Sequence, residues 1–130
     1  MIYSESFACT ISLSTANFGN YESNQVFPLY GQSSVTVKCD SGVSYNIGLD
    51  NGLNPISSYR RMNYIGDYLL YQFYRDSNYV TIWGNTAGID TQPGTGTGSN
   101  QIYSIYGKIP EGQTIPAGNY ADTIRVTVYY

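Results

Sequence analysis

The sequence contains no histidine, and its 130 residues include six lysines or arginines and nine aspartates or glutamates. Without imidazole, a Ser–His triad, histidine acid–base catalysis and histidine metal ligation are all excluded. The carboxylates stand mostly in turn sequences, and no spacing pairs them as in a glycosidase or arranges them as in a calcium loop. We therefore expect no enzymatic activity, no metal site and no cofactor.

The few charged residues form no basic cluster, and the formal net charge is −3. Nucleic acids and anionic membrane surfaces both favour clustered positive charge, so we expect neither as a partner. No apolar run is long enough to cross a membrane, and no signal-peptide pattern is present. We interpret Met1 as an expression start that replaces a removed leader.

Tyrosine and glycine are abundant instead, at 15 and 14 residues. Together with the many serines, threonines and asparagines, this composition resembles that of secreted β-rich proteins more than that of cytosolic enzymes. A chain of this length is expected to form one domain, residues 1–130, that buries roughly two thirds of its unfolded surface.

Short segments of alternating apolar and polar residues run through the chain, and no window has the 3.6-residue apolar repeat of a helix. Turn sequences with glycine, asparagine or aspartate separate the segments. The pattern predicts an all-β fold, an immunoglobulin-like β-sandwich of about seven strands. The predicted strands are Ser6–Ser14, Ser34–Cys39, Ser44–Asp50, Tyr68–Arg75, Val80–Trp83, Gln101–Ile109 and Tyr120–Tyr130.

Two segments between the predicted strands have a distinct composition. Thr91–Asn100 is rich in glycine and threonine and lacks the lysine of a phosphate-binding loop, so we predict a flexible linker there. Pro110 and Pro116 enclose five residues that cannot continue a β-ladder. This spacing predicts a long crossover between sheets, with Ile115 covering one end of the core.

The two cysteines, Cys9 and Cys39, each stand in an alternating run, so both side chains should face the core. They could be a pair of buried free thiols or a disulfide between neighbouring strands. The otherwise extracellular composition favours the disulfide.

The last predicted strand, Tyr120–Tyr130, has β-branched and aromatic residues in strict alternation. A strand of this kind needs a partner on each side, because an unpaired apolar edge is a site of association that proteins cover or exploit. The strand therefore suggests a function that depends on pairing with another chain.

Several short motifs follow one another in a specific order along nearly the whole chain. They are Cys9, Val35–Cys39, Tyr45–Gly52, Arg61-Met62, Leu70–Asp76, Trp83-Gly84, Tyr106–Pro110 and Pro116–Val128. Each motif is weak alone, but in combination they resemble the spore coat protein U family, which includes the subunits of archaic chaperone–usher pili.

The resemblance implies a secreted immunoglobulin-like domain that lacks its final strand. It implies that a strand of a periplasmic chaperone fills the gap first and that the N-terminal extension of a neighbouring pilin subunit fills it next, with an outer-membrane usher as a further partner. It also places the strands of Cys9 and Cys39 side by side, which implies that they form a disulfide.

The groove of such an incomplete sandwich would lie between the first strand and the last. We expect a donor strand to pair there by main-chain hydrogen bonds and to insert alternate apolar side chains between the sheets. The expected groove residues are Phe7, Ile11, Leu13, Ile124, Val126 and Val128.

The sequence departs from the family pattern before its first cysteine. Pilins of the family carry an alternating apolar donor segment there, whereas only residues 1–8 precede Cys9. At about 3.3 Å per residue, the free part spans roughly 20 Å, which is too short to fill a neighbour's groove. We expect either that the donor segment was cut off or that the domain occupies a filament tip, where no donor is required.

Tyrosines on both faces of the predicted strands allow two interpretations. Outward rings could form ordinary cross-strand pairs. They could instead form an aromatic surface that packs against other subunits or binds carbohydrate or an abiotic surface, with Tyr68, Tyr74, Tyr106 and Tyr129 as candidates. Trp83 is interpreted as a plug of the core or of a sheet edge instead of a ligand platform.

We therefore expect a structural subunit of a secreted bacterial surface filament or spore coat, assembled by donor-strand complementation. After periplasmic transit it would reach the cell surface and act in adhesion or biofilm formation. The alternative is a tip adhesin, or a carbohydrate- or surface-binding module, that does not polymerise.

Overall fold

The structure, a computed structural model, describes residues 8–14 and 18–130, and these residues form eight β-strands and no helix. Accordingly, the described part of the chain has no apolar helix of membrane-spanning length. The strands are β1 (Cys9–Leu13), β2 (Leu29–Cys39), β3 (Ser44–Leu49), β4 (Arg60–Tyr64), β5 (Asp67–Tyr74), β6 (Gln92–Thr95), β7 (Asn100–Ile109) and β8 (Val126–Tyr129).

The strands form two antiparallel sheets, with the orders β1-β2-β7-β5-β4 and β6-β3-β8. Alternation along each strand turns one set of side chains toward the other sheet, where they form a single apolar core. The predicted immunoglobulin-like sandwich is confirmed, with eight strands instead of seven. The buried core residues are Cys9, Val35, Val37, Cys39, Tyr45, Ile47, Leu49, Leu69, Tyr71, Phe73, Trp83, Ile105 and Ile109.

Cys9 and Cys39 lie directly opposite each other in the register of β1 and β2 and are joined by a disulfide, as predicted. Trp83 is also placed as expected. Its ring is fully buried, and Nε1 donates a 2.8 Å hydrogen bond to the carbonyl oxygen of Ile47. The disulfide ties β1 to β2, and the indole hydrogen bond ties the loop of Trp83 to β3.

The predicted strand Val80–Trp83 is wrong. The Asp76 carboxylate accepts hydrogen bonds from the backbone N–H groups of Val80 and Thr81, which ties these residues into a loop. Only Ile82 makes a β-bridge, to Tyr74. A local side-chain acceptor has thus replaced the ladder that the alternation predicts.

The predicted flexible linker Thr91–Asn100 is also wrong, because Gln92–Thr95 form edge strand β6. Gly94 fits there because the rings of Tyr45 and Tyr103 occupy the space that a side chain would need. Pro93, which has no N–H to donate, is tolerated on a sheet edge.

Strand β4 was not predicted, since Arg60–Tyr64 has no apolar alternation. Gly66 was the available sequence signal. It is the second residue of the two-residue hairpin turn Ile65-Gly66, in which both residues have positive φ.

The chain between β7 and β8 crosses from the five-stranded sheet to the three-stranded sheet, as the prolines predict. Ile115 is half-buried against the core. The last strand is shorter than predicted: Ala121 bridges Asn63 of β4, and the regular pairing with β3 begins only at Val126. Residues 120–125 therefore cross from the edge of the five-stranded sheet to the three-stranded sheet and do not extend β8.

Candidate functional site

The outer edges of β1 and β8 lie on the same side of the sandwich. Within residues 8–14 and 18–130, β1 pairs only with β2, and β8 pairs only with β3. Cα atoms of the two strands come within 8 Å of each other. Both edges therefore present backbone N–H and C=O groups that a further strand could pair with.

Beside these edges a cleft of about 920 Å³ opens between the sheets and reaches the core. Its lining includes the end of β1, residues 18–23 and residues 115–124. In a closed sandwich, the core residues inside the cleft would be covered from this side by another strand. These buried lining residues are Leu49, Leu69, Tyr71, Phe73, Ile105 and Ile109.

The residues expected to form a donor groove occupy two different places. Leu13 and Ile124 line the cleft. Ile11, Val126 and Val128 are half-buried against the core along β1 and β8, next to the cleft. Phe7 lies outside the described residues.

The lining contains two charged residues in the described part of the chain, Glu22 and Asp122. Asp122 is fully engaged: Oδ2 accepts from the hydroxyl of Tyr71 at 2.5 Å, and Oδ1 accepts from the backbone N–H groups of Leu53 and Thr123. Burial, together with the hydrogen bond and the charge of Asp122, raises the pKa of Tyr71. The phenol thus stays neutral near pH 7, and the buried part of the lining is suited to contact with apolar side chains.

A buried arginine supports the wall of the cleft at the end of β3. The guanidinium of Arg60 donates to the carbonyl oxygens of Leu49, Asp50 and Trp83 at 2.8–3.0 Å, and to the side chain of Gln72. Desolvation by burial lowers the pKa of Arg60. Sequence inspection did not single out this residue, because an arginine in a polar segment usually marks an exposed edge.

The four tyrosines proposed as an aromatic surface do not lie together. Tyr74 and Tyr106 are opposite each other in the register of β5 and β7. Tyr68 lies at the start of β5 beneath the guanidinium of Arg61, 4.0 Å from its ring centre. Tyr129 belongs to the other sheet, where its hydroxyl donates to Asn85.

Two further tyrosines, Tyr30 and Tyr79, join Tyr74 and Tyr106 on the five-stranded sheet. Neither residue was a candidate from the sequence. Tyr79 comes from a loop, where strand alternation gives no signal.

In the described residues no three acidic or cysteine side chains are arranged to hold a metal ion.

Comparison with known proteins gives a consistent result. The Spore Coat Protein U domain matches residues 4–127. "Protein U" of Myxococcus xanthus is 34% identical over an alignment 129 residues long, and the match covers 89% of this chain and 72% of that protein.

A similar solved structure is a chain in the CsuC–CsuE chaperone–tip adhesion subunit pre-assembly complex, from the archaic chaperone–usher Csu pili of Acinetobacter baumannii. The TM-score is 0.70 and the sequence identity is 29%. The match covers 94% of this chain but only 39% of that one, so this chain spans less than half of that chain's length.

Proposed function

The chain belongs to the Spore Coat Protein U domain family, and we propose that it is a structural subunit of a surface filament or coat assembled by the chaperone–usher route. In this proposal the subunit passes through the periplasm and is displayed at the cell surface, where the assembly serves adhesion or biofilm formation. The similarity to a subunit of the Csu pili supports this assignment.

The open cleft is the observation that carries the proposal. Its buried lining is continuous with the core, and the two strand edges beside it have no partner in the described residues. Burying ~400 Å² of apolar surface there would contribute on the order of 10 kcal/mol before ordering costs. That is comparable to the whole stability of an ordinary domain.

The cleft would be filled by a donor strand from another chain. Alternate apolar side chains of the donor would enter between Leu13 and Ile124 and contact Leu69, Phe73 and Ile109, while its backbone pairs with the free strand edges. A periplasmic chaperone would donate this strand first, and a neighbouring subunit would replace it at an outer-membrane usher. The related structure, a chaperone–subunit pre-assembly complex, is consistent with the first step.

The test supplies the missing strand within the same chain. A segment in which valine and threonine alternate is joined to Tyr130 through a flexible glycine–serine linker. The fused protein should melt well above the parent, because about 1 kcal/mol of added stability raises the melting temperature of a domain this size by several degrees. The unfused protein should be weakly stable or prone to associate.

Two controls separate filling of the cleft from a general effect of the added segment. A segment of the same composition with its valines and threonines in separate blocks should give no gain. Ile124→Asp should abolish the gain, whereas Ile102→Asp, the same change at a residue 68% exposed on β7, should preserve it. A parent that is already a highly stable monomer and gains nothing from the fusion would contradict the proposal.

Exposed apolar loop residues support a second candidate function, adhesion to an apolar surface by a subunit that does not polymerise. Ile65 is 82% exposed at the tip of the β4–β5 hairpin and has a positive φ of 48°. A β-branched residue is unfavourable in that conformation, where asparagine would fit better. Val26 and Phe27 are exposed in the loop before β2, at the same end of the sheet.

Retention of the free domain on a phenyl-substituted resin tests this second candidate. Ile65→Asn should weaken retention while leaving the fold equally or more stable, because asparagine tolerates the left-handed conformation. Ile102→Asn removes an exposed isoleucine from the sheet face instead of the loops and should retain binding. Equal losses from both variants would show non-specific hydrophobic adsorption and contradict adhesion through the loops.

A further inference from the structure

Four tyrosines pack together on the outer face of the five-stranded sheet; we name Tyr30, Tyr74, Tyr79 and Tyr106 the tyrosine cluster. The ring centre of Tyr79 lies 4.7 Å from that of Tyr30, 5.7 Å from that of Tyr74 and 6.4 Å from that of Tyr106. Gly107, the neighbour of Tyr106, faces Phe73 in the interior, so Tyr106 must point outward. The cluster therefore lies outside the core, and none of its four tyrosines lines the cleft.

Tyr79 is held in the cluster by an ordered loop. Its backbone has a φ of 58°, a conformation uncommon for a residue with a bulky side chain. The Asp76 carboxylate accepts hydrogen bonds from Thr81 N at 2.8 Å and from Val80 N, and Arg75 N bonds to Thr81 O. These hydrogen bonds, and most of all the one from Thr81, lower the pKa of Asp76. The same bonds fix the loop so that the ring of Tyr79 lies over Tyr30.

We propose that Tyr30 and Tyr79 are a site of oxidative cross-linking, at which hydrogen peroxide and a one-electron peroxidase couple the two rings into dityrosine. Each phenol loses one electron and one proton, and the two phenoxyl radicals join by a carbon–carbon bond between their ortho carbons. Each ortho hydrogen then returns to its phenol oxygen as a proton. The protein loses two hydrogen atoms in total, and one peroxide is reduced to two waters.

The geometry of this pair suits coupling better than that of the other tyrosine pairs in the cluster. Packed aromatic rings have centres ~4.5–7 Å apart, so the 4.7 Å between Tyr30 and Tyr79 is close to the lower limit. Their planes are tilted by only 38°, whereas Tyr74 and Tyr106 meet Tyr79 edge-to-face at 85° and 84°. An edge-to-face contact points one ring edge at the centre of the other ring, which keeps the two sets of ortho carbons apart.

Access for the oxidant is also favourable. Tyr30 is 49% exposed and can be oxidised directly, and the other rings of the cluster offer short steps by which a radical can reach Tyr79. By contrast, Tyr45 is buried, and its hydroxyl is bonded to that of half-buried Tyr103 and to the side chain of Gln101. The resulting bond would fasten the loop of Tyr79 to β2 and would not depend on the donor-strand proposal.

Treatment of the dilute protein with hydrogen peroxide and a haem peroxidase tests the assignment. We expect dityrosine fluorescence, a monomer that has lost the mass of two hydrogen atoms, and one cross-linked peptide pair containing Tyr30 and Tyr79 in tandem mass spectrometry. Tyr30→Phe and Tyr79→Phe, which keep the ring and the packing, should each lose most of the intramolecular product.

Tyr64→Phe is the matched control. Tyr64 packs against Tyr120 with ring centres 5.6 Å apart, outside the cluster, and its loss should leave the product unchanged. Asp76→Asn should lower the yield without removing a tyrosine, because it weakens the loop that positions Tyr79. A cross-link that maps to other tyrosines, or a yield that neither cluster variant lowers, would overturn the proposal.

Discussion

The hydroxyl of Tyr71 donates a 2.5 Å hydrogen bond to Oδ2 of Asp122, and this bond joins β5 to the wall of the cleft. Asp122 also fills the space above Gly52, where a side chain would meet its carboxylate at 2.1 Å. The aspartate thus links three segments, β5, the loop after β3 and the crossover before β8. Because the bond needs a protonated phenol, the stability of the cleft wall depends on the protonation state of Tyr71.

Tyr71→Phe should lower the free energy of unfolding near pH 7 by about 1–2 kcal/mol, since a buried hydrogen bond to a charged acceptor is lost. The variant should also lose less stability than the parent protein when the pH is raised. The folded pKa of Tyr71 is raised above the unfolded value of about 10, so its contribution is fully present below that pH and is lost as the pH rises through the folded pKa.

Denaturant titrations between pH 7 and 11 measure this effect. Burial also raises the pKa of Tyr45, so the variant should still lose part of its stability at alkaline pH. Tyr130→Phe, at an exposed residue, is the control and should match the parent. An unchanged alkaline profile for Tyr71→Phe would contradict the assigned role.

Replacing both cysteines, Cys9→Ser with Cys39→Ser, should destabilise the protein by about 3–4 kcal/mol, because the disulfide restricts the unfolded chain. Each ~1 kcal/mol of lost stability lowers the melting temperature by several degrees, so the melting temperature should fall by well over ten degrees. Thiol titration of the unreduced, denatured parent should find no free thiol. Two reactive thiols in protein from an oxidising compartment would contradict the bond.

Arg60→Met should be among the most damaging single substitutions. Methionine fills similar space but leaves the carbonyl oxygens of Leu49 and Trp83 without the guanidinium donor, at a cost of about 3 kcal/mol or more. The measurement is the denaturant midpoint, with Arg125→Met, at an exposed residue, as the control. Equal midpoints for the two variants would show that the buried guanidinium contributes nothing.

Gly94→Ala should destabilise edge strand β6 by about 1–3 kcal/mol through overpacking. A methyl group there would lie 2.4 Å from the ring of Tyr45 and 2.6 Å from the hydroxyl of Tyr103. These two hydroxyls are bonded to each other at 2.6 Å, so neither ring can move without losing that bond. Thr95→Ala, at the exposed neighbour, should melt close to the parent, and a Gly94→Ala protein that does the same would show that the tyrosines can adjust.

Strands with strong apolar–polar alternation could be predicted from the residues alone. In β2, Val35, Val37 and Cys39 alternate with polar residues, and in β7 Ile105 and Ile109 do the same, so burial of one face follows from the local backbone period. Cys9 and Cys39 could be assigned to inward faces for the same reason. The sandwich and the disulfide were predictable because each depends on this local period and on the family resemblance.

At two places hydrogen bonds override that local period. Asp76 takes the backbone donors of Val80 and Thr81 into a loop, and Ala121 bridges β4 instead of extending β8. In both places a specific hydrogen bond, which no periodic pattern records, outweighs the strand propensity of the segment.

The cleft, the buried Arg60 and the contact of Tyr30 with Tyr79 likewise required the tertiary structure. Each depends on which residues meet after distant parts of the chain have packed together, and the sequence specifies the faces of strands more directly than their partners. The edge of β8 could be recognised as apolar from its residues alone. That a cleft opens beside it depends on the path of residues 115–124 between the two sheets, which the packing of the whole chain decides.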